Sequence, residues 1–122
     1  MEKIYDVFIS YRRDKGQDLA RALQLGLENR GLRVFFDLEE LGGGKFNEKL
    51  YTAIEQSKNV IFMMTEGALD RCVNEDDWVR LELMHALSKK INIVPVVLLG
   101  SPQVFPETLP PGLEGLRQFN IN

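Results

Sequence analysis

The sequence predicts an open, doubly wound α/β sheet, and three observations carry that expectation. Four short runs are apolar almost without a break: Asp6-Val7-Phe8-Ile9-Ser10, Arg33-Val34-Phe35-Phe36, Asn59-Val60-Ile61-Phe62-Met63-Met64 and Ile91-Asn92-Ile93-Val94-Pro95-Val96-Val97-Leu98-Leu99. Continuous runs mark parallel strands covered on both faces, whereas a sheet with one wet face would alternate. Segments with apolar residues at helical spacing separate these runs, so strand and helix alternate four times. The chain has 122 residues, 44% hydrophobic and 27% charged, which suits one globular domain. A domain of that size buries roughly two-thirds of its unfolded surface.

Each element has its own signals. After the first strand, Asp14 is placed to cap a helix whose Leu19, Leu23 and Leu27 recur every fourth residue, and Gly31 is placed to stop it. Phe46, Leu50 and Ile54 give the second helix the same period. In the third, Val79, Leu83, Ala86 and Leu87 form the core stripe, with Trp78, Glu82 and His85 on an adjoining band. Asn74, with Glu75, Asp76 and Asp77, supplies that helix with a cap and an acidic first turn. Pro95 has no N–H, so it marks a bulge or the unpaired side of the fourth strand. Over residues 101–122, Pro102, Pro106, Pro110 and Pro111 break any long helix, and Phe119-Asn120-Ile121-Asn122 is the one candidate for a last strand. No helix follows to cover it. Residues 1–122 therefore read as one domain excised from a longer protein, or one with a trimmed end.

Composition excludes several function classes. A net charge of -3 with no run of five like charges argues against a nucleic-acid-binding face. The single cysteine, Cys72, suits a reducing compartment and reads as a small buried or half-buried thiol. The N-terminus has no apolar signal region and no stretch reaches membrane-spanning length, which points to the cytoplasm. His85 is the one histidine and has no cysteine at ligand spacing, so no metal site is expected; it reads as a half-exposed helix residue. There is no Gly-x-Ser-x-Gly elbow for a serine nucleophile. The glycines at 42–44 do not make a phosphate-binding P-loop, because Phe46 follows Lys45 where Ser or Thr is needed.

What remains lies where such sheets bind ligands, beyond the carboxyl ends of the strands. Trp78 and Glu82 are four residues apart and share a helix face. One carboxylate beside one large aromatic suits cleavage of a cationic N-glycoside. Past the first strand, Arg12 and Arg13 could neutralise a pyrophosphate through bidentate hydrogen bonds, or sit in a solvated turn. The loop at 37–45, with Gly42-Gly43-Gly44, is a candidate flap or partner-docking segment, or a flexible connection.

These residues add up to a resemblance. Tyr5-Asp6-Val7-Phe8-Ile9-Ser10-Tyr11-Arg12-Arg13 resembles the first box of a TIR (Toll/interleukin-1 receptor) domain. Val34-Phe35-Phe36-Asp37 through Gly44-Lys45-Phe46, with Leu50, Ala53, Ile54 and Ser57, resembles the second box and its BB loop. Trp78-x-x-x-Glu82 is similar to the family's catalytic motif, and Asn92-Ile93-Val94-Pro95-Val96 to its fourth strand. The resemblance implies a flavodoxin-like sheet of five parallel strands in the order 2-1-3-4-5, helices on both faces, and here a missing last helix. It is strongest to the members that cleave NAD+. It implies Glu82 as the catalytic glutamate, Tyr11, Arg12, Arg13, Trp78 and Asp37 around the substrate, and Leu38-Glu39-Glu40-Leu41-Gly42-Gly43-Gly44-Lys45 as the assembly loop touching a neighbouring copy. Two positions depart from the pattern: Gly42 stands where some NAD-cleaving members carry a carboxylate, and no aromatic lies near Gly100.

The implied chemistry is self-consistent. Nicotinamide leaves a pyridinium as a neutral molecule, so no general acid is required, and one carboxylate can stabilise the oxocarbenium-like ribose. Water or the adenine then captures the cation, which divides hydrolysis from cyclisation. NAD+ is on this reading the substrate and no cofactor is expected. Partners would be other TIR domains and a fused or associated sensor. A non-catalytic TIR scaffold, working through TIR–TIR contacts alone, is the alternative.

Overall fold

The computed structural model describes residues 3–35, 48–64, 72, 77–97, 109 and 112–119, with the backbone alone given for 13–16, 48–49 and 78. The chain runs β1 (Tyr5–Ser10), α1 (Arg13–Asn29), β2 (Val34–Phe35), α2 (Glu48–Glu55), β3 (Ser57–Met64), α3 (Trp78–Ser88), β4 (Asn92–Val97) and a 3₁₀ helix (Glu114–Gln118). All strand pairs are parallel, in the order β2-β1-β3-β4. These are the first four positions of the expected order. The topological switch, where such sheets open a binding crevice, lies between β1 and β3. Of the segment expected as a fifth strand, only Phe119 is described; it caps the 3₁₀ helix in an extended conformation and packs on the core.

Strand parity builds two cores. Phe8, Val60, Phe62, Met64 and Ile93 point to one face, where Leu50, Ala53 and Ile54 of α2 meet Val79, Leu83 and Ala86 of α3. Val7, Ile9, Ile61 and Met63 point to the other, against Ala20 of α1 with Leu23 and Leu27 beside it. The near-continuous apolar runs are thus two interleaved stripes, each with its own helix layer.

The helix signals held in part. Gly31 stops α1 as expected, at φ +86°, with Leu32 N–H reaching back to the Leu27 carbonyl. Asp14 is not the cap: α1 starts at Arg13, and Arg12 occupies the cap position without a side-chain capping bond. The reason is tertiary, since Arg12 is held by a partner on α3, as described below. Leu19 is exposed at 47%, while Ala20 is fully buried. A four-residue repeat drifts by about 40° per step on a helix, so Leu19 leaves the stripe that Leu27 is on. The small Ala20 is the residue that meets the sheet. In α3 the cap is Asp77 itself, whose carboxylate accepts from Arg80 N–H at 3.0 Å. The first turn of α3 accordingly holds no acid, and 74–76 lie outside the described residues. Pro95 causes no bulge: the β3–β4 register runs unbroken through Phe62 and Pro95. Among the described residues β4 is an edge strand, where a missing N–H is tolerated.

Proline spacing concealed one feature of the tail. Leu109, Leu113 and Leu116 are buried in the α2/α3 core, the last two completely. Gly112 makes the approach possible: its φ is +88°, and a Cβ there would stand 2.9 Å from Met84 Cε. Leu116→Ala is expected to cost about 2–5 kcal/mol of stability, the range for truncating a buried leucine. Urea unfolding measures it, and a loss below half a kilocalorie, roughly the effect of a surface change, would mean the tail adds little to the core.

Candidate active site at the carboxyl end of β1

Position by position, β1 hands three side chains to the α3 face. Phe8, Ser10 and Arg12 have the same parity, and Arg12 keeps an extended backbone (φ -87°, ψ 123°), so the alternation continues past the strand. Phe8 enters the core. Ser10, fully buried, donates its hydroxyl hydrogen to Glu82 Oε1 at 2.8 Å. Arg12 reaches Asp77 with both terminal nitrogens, Nη2 to Oδ2 at 2.9 Å. The spacings match. Two strand residues advance about 6.6 Å, and the five helix residues from Asp77 to Glu82 rise about 7.5 Å. Ser10 at the end of β1 and Arg12 two residues on, adjacent on one face, can therefore hold the second turn and the cap of one helix.

The Arg12–Asp77 pair sits among other polar contacts. Its side chains are only 8% and 9% exposed. Arg12 Nη2 lies 3.3 Å from Cys72 Sγ, and Arg80 Nη1 donates to the Cys72 carbonyl at 3.2 Å. Burial alone would raise the pKa of Asp77, but hydrogen bonds from Arg12 and the Arg80 N–H, with the charge of Arg12, bring it below the ordinary carboxylate value. Burial also pushes the Cys72 thiol up to about 12, so it stays protonated at neutral pH and matches the buried thiol expected.

His85, one turn beyond Glu82, belongs elsewhere. Its ring stacks on Tyr51 with centroids 4.0 Å apart, and Nε2 is hydrogen-bonded to Glu55 Oε2 at 2.7 Å. Both partners are on α2, so this half-buried histidine ties α2 to α3.

The expected site residues therefore divide. Glu82 and Arg12 are brought to one place. Tyr11 is not, because its odd parity sends it to the α1 face, where it is buried with Val7, Ile9 and Ala20. Arg13 opens α1 and Trp78 opens α3, and their side chains lie outside the description. Asp37 and all of 38–45 lie outside the described residues. Ser10 and Asp77 were missed as partners. The period-two parity of β1 was the available signal, since it puts residues 10 and 12, but not 11, toward α3.

Comparison with known proteins gives this geometry a context. Residues 7–121 match the TIR domain family. The chain belongs to the TIR domain family. It is similar to NAD(+) hydrolase sarm1 of Drosophila melanogaster, 41% identical over 125 residues covering 98% of the chain, and to NAD(+) hydrolase SARM1 of Danio rerio, 42% identical over 120 residues covering 94%. NAD(+) hydrolase tir-1 of Caenorhabditis elegans is 42% identical over 99 residues, 79% of the chain. The match spans only 9%, 16% and 10% of those three proteins. Among solved structures, a metazoan TIR-STING receptor from C. gigas superposes with a TM-score of 0.65 at 27% identity, over 93% of this chain and 36% of that one. The TIR domain of the Toll-related receptor TRR-2 from Hydra magnipapillata gives 0.61 at 25% identity, over 93% and 90%. The TIR domains of the activated Roq1 resistosome give 0.57 at 25% identity, over 76% and 57%.

Proposed function

We propose that this TIR domain cleaves the nicotinamide–ribose bond of NAD+, releasing nicotinamide with ADP-ribose or its cyclic form, as a self-associating effector of immune defence or cell death. One observation carries the reading: Glu82, bonded to the last residue of β1 beside the switch point, in a chain 41–42% identical to three proteins named NAD(+) hydrolases. A single carboxylate is enough for this bond, because the leaving group departs uncharged and only the ribose cation needs stabilisation. Arg13, Trp78 and Asp37 are proposed to line the substrate, and Arg12 to act there too or to hold α3.

Self-association is proposed to use the loop Leu38-Glu39-Glu40-Leu41-Gly42-Gly43-Gly44-Lys45, which would complete the site against a second copy. Head-to-tail contacts of this kind extend into filaments or open arrays. The Roq1 resistosome, whose TIR domains superpose on this chain, is an assembly by its name. Nicotinamide release is therefore expected to rise more steeply than linearly from nanomolar to high micromolar protein, and further when the copies are fused to a clustering domain. Gly44→Pro, by locking φ, is expected to suppress assembly and turnover together. Absence of nicotinamide even from clustered protein, with assembly intact, would leave the non-catalytic scaffold as the function.

A further inference from the structure

We propose that Ser10 is the positioning residue for Glu82: its buried hydroxyl fixes the carboxylate that faces the ribose, and so sets the rate of the bond-breaking step. The inference rests on the NAD+-cleaving function proposed above and deepens it.

Ser10 is a polar residue on an apolar stripe. Phe8 precedes it on the same face of β1, and its register partner on β3, Phe62, is fully buried. A hydroxyl in such surroundings costs stability unless it is bonded. An alanine would pack there without that demand. The hydroxyl donates to Glu82 Oε1 at 2.8 Å, across 72 residues of sequence.

The bond couples two unlike elements. Glu82 grows from a helix on a side chain with three rotatable bonds, a poor start for a group that must face one carbon of a bound ribose. Ser10 has one rotatable bond and sits on β1, which is paired on both sides. Anchoring one carboxylate oxygen to that strand gives Glu82 the rigidity of the sheet, the usual support required around a reacting group. A hydroxyl donor also favours a charged carboxylate, the form that stabilises a cation. Ser10 touches no reacting atom, and its effect passes through Glu82.

The test separates the hydrogen bond from the packing. Ser10→Ala removes the donor and the space its oxygen fills; Ser10→Cys fills that space with a slightly larger sulfur that is a weak donor. Both are measured under the clustering conditions that activate the wild type, with nicotinamide release followed over a range of NAD+ concentrations and Tm recorded alongside. Both variants are expected to lose kcat by about ten- to a hundred-fold, with KM within about twofold, while Ser10→Cys melts close to wild type. Three results would overturn the proposal: wild-type kcat in either variant, a loss confined to KM, or a recovery in Ser10→Cys that tracks restored volume. If the wild type itself releases no nicotinamide when clustered, the function fails and this inference with it, an outcome distinct from an active wild type matched by Ser10→Ala.

Discussion

Glu82→Gln is expected to lower nicotinamide release by about 10²–10³ while leaving the fold intact, the cost of removing one preorganised charge partner from a transition state. The substitution keeps size and keeps an oxygen able to accept from Ser10. It removes the negative charge proposed to face the developing ribose cation and turns the other acceptor oxygen into an amide donor. Glu82 is half-buried and lies off the Val79, Leu83 and Ala86 stripe, so the core is untouched. Stability should stay within about half a kilocalorie of wild type, as for a surface change. The measurement is product release by clustered wild-type and variant protein at saturating NAD+, with circular dichroism melts as the control. Full turnover in the variant would remove Glu82 from the chemistry, whatever the family likeness.

Much of the fold was legible because this architecture writes itself in apolar runs. Each described strand lies within two residues of the run that foretold it, since a strand covered on both faces has little room for polar residues. Helix starts were less legible. Asp14 and Asn74 are good caps by local rules, yet α1 begins directly after Arg12 and α3 directly after Asp77. An ion pair joins those two cap residues, and a contact across 65 residues of sequence is invisible to local capping rules. The tail misled for a related reason. Proline spacing describes backbone, whereas Leu113 and Leu116 are buried after a turn at Gly112 whose positive φ suits glycine.

The site was legible in type but not in partnership. Glu82 and Arg12 stood out as chemistry-bearing residues, and the fold brings both, one on α3 and one just past β1, to the carboxyl end of β1. Ser10 did not, because a lone serine ending an apolar run reads as punctuation. Its burial and parity give it its meaning, and parity was already in the sequence: Tyr11 belongs with Val7 and Ile9, not with its neighbours Ser10 and Arg12. A motif reading groups adjacent residues together, and a strand separates them onto opposite faces.

Arg12→Ala is expected to destabilise the domain by about 3–5 kcal/mol, the penalty for leaving one partner of a buried ion pair uncompensated. Against a total of about 5–15 kcal/mol for a domain, that is a large share. Asp77→Asn should fall in the same direction, although the amide oxygen can still cap α3 and retain the bond from Arg80 N–H. The pair also predicts acid behaviour. The folded-state pKa of Asp77 is lowered, so its contribution is complete above the unfolded carboxylate value of about 3.9 and is lost as pH falls through the folded value. The gap between wild type and Asp77→Asn should therefore be widest near neutrality and close in acid. Kinetics then decides what Arg12 does. If Arg12 holds α3, both variants lose kcat together, because the cap and Glu82 ride on one helix and Asp77 has no reason to touch the dinucleotide. If Arg12 binds the pyrophosphate, Arg12→Ala raises KM at least tenfold, from a lost charge-assisted bond of about 1.5–3 kcal/mol, and Asp77→Asn does not. Unfolding free energies for both variants within 1 kcal/mol of wild type, roughly the scatter of a surface pair, would show that the ion pair does not fix α3. Among the contacts described, the position of Glu82 would then rest on the core packing of α3 and on Ser10.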